Sequence, residues 1–252
     1  AAVLEGDALL TEHRDAERTH GIPPPNAEAF ARRFAIDVEG ELPEGSAWVR
    51  AMFLRPYPLG YQWVWRVAEA EGSAGLVKML AAPPLTSAAL LHPGRDRTGR
   101  NEIEARGEDF GPDERCRTRT TSSFGEIGLS TWFEAGTVPP SEIEAWRADR
   151  AWLLACPKGE ALAWLLLLDG PEAALALEPR LRERGAALPA GAAQVERSGA
   201  RLLVHRGLDE AGRRWLLEQA PVHFYPDLTA WLAAHPEILE AAAGLREDAL
   251  EH

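Results

Sequence analysis

The chain of 252 residues has only two cysteines, two lysines and no long apolar run, and each shortage excludes something. Cys116 and Cys156 stand far apart, in no C-x-x-C or histidine-associated spacing, so neither a disulfide framework nor a cysteine zinc site is expected. Two unpaired thiols suit a reducing compartment, which places the protein in the cytoplasm. The longest apolar run, residues 161–168, is far short of the roughly 20 residues that cross a bilayer, so no membrane partner is expected. The first twenty residues carry Glu5, Asp7, Glu12 and Asp15 and lack the basic stretch and apolar run of an export signal. Leu250, Glu251 and His252 read as the start of an appended histidine tag.

Recognisable motifs are missing as well. There is no phosphate-cradling G-x-x-x-x-G-K-[ST], no G-x-G-x-x-G, no G-x-S-x-G nucleophile turn, no H-E-x-x-H and no EF-hand loop. No cofactor and no metal is therefore expected. The net charge of −12 opposes phosphate, which removes nucleic acid as a partner.

What the sequence does contain is a pattern of alternating elements. An N-terminal helix stops at Pro23, Pro24 and Pro25, and Asn26 caps a second helix whose Phe30 and Phe34 share a stripe. Residues 47–55, 61–68 and 76–82 read as an antiparallel meander, because turn chemistry separates them. Residues 93–112 read as a long mobile loop, and 115–124 with 127–133 as a hairpin around Gly125. A boundary is expected at residues 136–140. Beyond it, Ser141 and Glu144 have capping-box spacing for a short helix through Trp146. Two strand-strand-helix units follow, then a tail of two helices divided at His235 and Pro236. The expected architecture is α+β: mainly antiparallel sheets with helices packed on one face, in an N-terminal half (1–136), a C-terminal half (137–249) and a tag remnant (250–252).

Four groups of residues are candidates for chemistry. Arg115, Arg117 and Arg119 end an Arg- and Gly-rich stretch and can bind an anion, although seven arginines between positions 95 and 119 are matched by seven acids. Trp48, Trp63 and Trp65 can form an aromatic surface for a partner or an apolar ligand, against the commoner role of core. His205, His223 and Asp227 are the residues for a general base. Cys116 and Cys156 lack the base partner that a nucleophile needs. Nine tryptophans in an acidic chain favour a non-catalytic protein-binding module: an adaptor, a chaperone or an immunity-type protein engaging a partner that is basic or offers an apolar segment. This reading expects at least one of Trp48, Trp63, Trp65, Trp146 and Trp231 to stand exposed. The alternatives are an enzyme with a dispersed site at His205, His223 and Asp227 or in the Arg-rich loop, and a small-ligand binder with an aromatic cleft.

Overall fold

The computed structural model describes residues 2–39, 55–92, 99–111, 116–133, 138–186 and 193–238. Its class is α+β with antiparallel sheets, as the sequence predicts. The N-terminal helices are α1 (Ala2–His20), α2 (Ala27–Glu39) and α3 (Pro56–Ala81). Asn26 caps α2 by accepting the Ala29 N–H at 2.8 Å.

The predicted meander is not there. Residues 61–68 and 76–82 fall almost wholly within α3, and residues 47–54 lie outside the described residues. The alternation of Tyr61, Trp63, Trp65 and Val67 imitates a strand. Burial follows a different period: Tyr61 and Val64 are wholly enclosed and Trp63 and Trp65 only partly. That spacing of three is the helical one, and Pro56 starts the helix where its missing N–H costs nothing. Gly72, at φ 63°, bends α3 in the middle, a conformation that favours glycine. Helices α1 and α3 cross so closely that a Cβ on Gly6 would lie 2.2 Å from the Gly60 carbonyl carbon. Phe30 stacks on Tyr61 at 4.2 Å in the small core between these helices.

A short helix α4 (Ser87–Leu91) leads to β1 (Arg100–Ile103), α5 (Gly107–Phe110) and β2 (Arg117–Ser122). The expected loop over residues 93–112 therefore holds a strand and a helical turn, and residues 93–98 lie outside the described residues. Charged residues conceal β1, because only Ile103 marks it as apolar. The second arm of the predicted hairpin, residues 127–133, is instead helix α6 (Gly125–Trp132), with Ile127, Gly128 and Leu129 buried in succession. The boundary expected at 136–140 begins outside the described residues, and α7 (Pro140–Glu144) follows. Trp146 opens a strand and does not extend that helix.

The C-terminal pattern is as read: β3 (Trp146–Cys156), β4 (Gly159–Leu168) and α8 (Pro171–Ala186), then β5 (Gln194–Ser198), β6 (Arg201–Arg206) and α9 (Glu210–Glu218). Strand order in the antiparallel sheet is β2-β3-β4-β6-β5. In β4, neighbouring Leu165 and Leu166 are both fully buried, so both faces need cover. Accordingly, α8 covers the face of Trp164 and Leu166, and α9 with α5 covers that of Trp152 and Leu165; the helices predicted on one face occupy both. β7 (Val222–Tyr225) then pairs with β1 in a second sheet, and α10 (Leu228–Ala234) follows. The rest of the predicted helical tail beyond residue 238, and the predicted tag, lie outside the described residues.

The cysteines correct a further expectation. Cys116 and Cys156 are bonded to each other, because antiparallel pairing of β2 with β3 brings the start of one strand to the end of the other. With both thiols bonded, neither cysteine speaks for a reducing compartment. Among the described residues, no helix is long and apolar enough to cross a membrane.

Candidate functional site

A cleft of about 480 Å³ opens between the end of α3 with the turn that follows it and the junction of the two sheets. This is within the usual range for a ligand site. One wall is apolar and proline-rich, with Leu80, Pro83 and Pro84, and Phe124 and Trp146 face the same space. The polar part comes from β1 and α10, which contribute Arg100, Glu102 and Trp231.

Two acids at the cleft are fixed by what surrounds them. Asp149 lies in β3 and is 3% exposed. Its Oδ1 accepts the Gly125 N–H at 2.8 Å and the Trp146 indole N–H at 3.2 Å. Its Oδ2 accepts the Phe124 N–H at 2.8 Å and the Trp164 indole N–H at 3.0 Å. Burial pushes the carboxyl pKa up, and these four hydrogen bonds oppose that shift. Asp149 thus fastens the start of α6 and two indoles to the sheet.

Glu102 has three donors. Its Oε1 accepts from Arg150 at 3.2 Å, and its Oε2 accepts the Trp231 indole N–H at 2.7 Å with Arg100 at 3.4 Å. Arg100 also lies 5.3 Å from the Trp231 ring centroid, a cation–π contact, and the ring of His235 stacks on Trp231 at 4.7 Å. Nearby, Tyr225 donates to Glu104, which pushes the phenol pKa up to about 12.

The predicted general-base group is not assembled. His205 is buried in β6 beside Glu196, at 3.2 Å; His223 is half-exposed in β7 beside Glu104, at 3.4 Å; and Asp227 caps α10 by accepting the Ala230 N–H. No group of three or more His, Cys, Asp or Glu side chains among the described residues can hold a metal ion. Of the candidate arginines, the two described do not converge either. Arg119 sits where the β2–β3 register slips and pairs with Glu160, Arg117 donates to the Cys116 carbonyl, and Arg115 lies outside the described residues. A bulge and charge on an edge strand are means of discouraging strand addition.

Of the tryptophans expected to include an exposed one, Trp63, Trp65 and Trp231 are half-buried, Trp146 is buried and Trp48 lies outside the described residues. The Arg-rich stretch contains Arg100 and Glu102 without setting them apart from its other charges, and Asp149 is missed, its only signal being that of a lone acid between tryptophans in a strand that is otherwise largely apolar. No protein-family model matches the chain, and neither a curated protein nor a solved structure does.

His205 gives a testable pH dependence. Burial pulls its pKa below the ordinary 6.5, opposed by Glu196 and assisted by Arg213, and its Nδ1 has no hydrogen-bond partner. The unfolded chain therefore takes up a proton first as pH falls, so the contribution to stability is full above pH 6.5 and is lost below it. Urea unfolding between neutral pH and pH 5 is expected to show this loss, with a slope of at most about 1.4 kcal/mol per pH unit from this one proton. His205→Leu is expected to flatten the profile, and an unchanged slope would show that other groups set it.

Proposed function

We propose that this protein acts by binding a polypeptide partner, whose apolar segment enters the cleft beside α3. The observation that carries the reading is the continuity of the cleft with an uncovered apolar rim. Leu80, which lines the cleft, is 39% exposed, and Val77, one helical turn away, is 69% exposed. A small ligand enclosed in the cleft has no use for this rim, whereas a chain segment lying across Leu80, Pro83 and Pro84 covers it. Asp149 supports binding over turnover, since its two oxygens already accept four hydrogen bonds. A general base needs a free lone pair facing its substrate.

The partner's defining feature is thus an apolar segment, and the acidity of the chain steers its approach. For the compartment, the Cys116–Cys156 bond favours an oxidising environment over the cytoplasm expected from unpaired thiols.

Selecting peptides from a random displayed library on the immobilised protein, then titrating them in solution, tests the proposal. Leu80→Glu is expected to weaken a selected apolar peptide at least about tenfold, because it places a charge where an apolar side chain packs, with little change in thermal stability at this exposed site. Peptides that bind the variant as tightly as the wild type would place the docking site elsewhere.

A further inference from the structure

We infer that Arg100 is the anchor of the cleft for a carboxylate, and that the carboxylate it takes is the free C-terminus of the bound polypeptide. This rests on the cleft being the docking site.

The charges at the cleft are unequal in a telling way. Glu102 has three donors directed at it: Arg150 at 3.2 Å, the Trp231 indole at 2.7 Å and Arg100 at 3.4 Å. The nearer two already serve one oxygen each, so the Arg100 contact is the long third one. A guanidinium has five N–H groups in a planar fork and matches a carboxylate with two of them. Arg100 spends little of that capacity on Glu102, and its side chain is 27% exposed where it lines the cleft. Among the described residues the Arg100 guanidinium meets Glu102 at 3.4 Å and the Trp231 ring at 5.3 Å, contacts that hold it in place and leave others of its five N–H groups for a ligand. A bidentate carboxylate is the group that fits this edge.

A chain end is favoured over an aliphatic acid by the rest of the lining. Pro83, Pro84 and Leu80 offer an apolar wall on one side, but Ser87 and Asn101 interrupt the cleft with groups suited to a peptide backbone, while the Ser123 hydroxyl already donates to the Asp149 carbonyl at 2.8 Å. A long alkyl chain gains nothing from these.

The test titrates the whole protein with three probes: the acetylated peptide Leu-Pro-Leu-Phe with a free C-terminal carboxylate, the same peptide as its amide, and decanoate. Binding is read by calorimetry and by the Trp231 indole N–H resonance. The free acid is expected to bind about tenfold more tightly than the amide, the worth of a charge-assisted pair at a partly exposed site, and to shift the Trp231 resonance. Arg100→Gln is expected to bring the acid-to-amide affinity ratio from about ten to about one, whereas Arg100→Lys retains part of the preference. Equal affinity for acid and amide, no binding of the free acid at millimolar concentration, or a preference that survives Arg100→Gln would overturn the assignment. Decanoate binding as tightly as the peptide acid would also overturn it, in favour of a lipid carboxylate. If Leu80→Glu weakens acid and amide alike while Arg100→Gln leaves their ratio intact, the docking site stands and the anchor alone is wrong.

Discussion

Asp149→Ala is expected to cost more than about 4 kcal/mol, enough to consume much of the roughly 5–15 kcal/mol that holds a typical protein folded. The reason is the number of donors orphaned at once. Two backbone N–H groups at the start of α6 and the indoles of Trp146 and Trp164 all end on this carboxylate, and each unsatisfied buried donor costs about 1–3 kcal/mol. Asp149→Asn is expected to fall between, since its carbonyl oxygen keeps two donors while its amide N–H₂ meets the other two head-on. Urea unfolding monitored by tryptophan fluorescence measures both variants. A loss below about 1 kcal/mol for Asp149→Ala would mean that water replaces the carboxylate at little cost, and that the acid does not position Phe124 and Trp146 at the cleft.

The second large effect is expected from the disulfide. Cys116 and Cys156 are separated by 40 residues in sequence, and closing a loop of that size restricts the unfolded chain by about 4 kcal/mol in the chain-entropy account. For a protein of this length each kcal/mol corresponds to roughly 2–4 °C, so Cys116→Ser or Cys156→Ser lowers the melting temperature by roughly 10 °C. Adding reductant to the wild type is expected to have the same effect and none on either variant. Two titratable thiols in wild-type protein unfolded without reductant would contradict the bond itself. The enclosed loop contains β2, α6 and nearly all of β3, including Asp149. Loss of the bond is therefore expected to loosen the sheet side of the cleft before the helices α1 to α3.

These two predictions concern parts of the molecule that differ in how openly the sequence announces them. The strand-strand-helix units are legible because β4 and β6 are short apolar runs bounded by turns, and because Asp209 caps α9 through the Gly212 N–H. Helix α3 is not, because Tyr, Trp and Val at alternate positions satisfy the strand period, and only packing against α1 and α2 decides for the helix. Strand β1 is hidden for the opposite reason: Arg100, Asn101 and Glu102 carry no apolar signal, and the strand exists because β7, over a hundred residues later, pairs with it. The disulfide belongs to the same class, since its spacing has meaning only once β2 and β3 are in register.

The cleft follows this logic throughout. Each of its residues looks ordinary in the sequence: Arg100 and Glu102 sit in a charge-balanced stretch, Trp231 in a terminal helix, and Pro83 and Pro84 between elements. Convergence comes from tertiary pairing, which places β1 against β7 and beside β3 and so brings Glu102 to Arg150 and to Trp231. Trp63 and Trp65, the tryptophans that attract attention by their spacing, pack instead against the core of α1 to α3.

That contrast supplies the most direct measurement. Nitrogen-labelled indole resonances of the nine tryptophans can be followed while a peptide selected for binding is titrated in. The account predicts that Trp231 and Trp146, which line the cleft, shift and saturate together with the calorimetric isotherm, while Trp63 and Trp65 stay in place. Saturable binding that moves Trp63 and Trp65 and leaves Trp231 and Trp146 unchanged would contradict the account and assign recognition to the helical face.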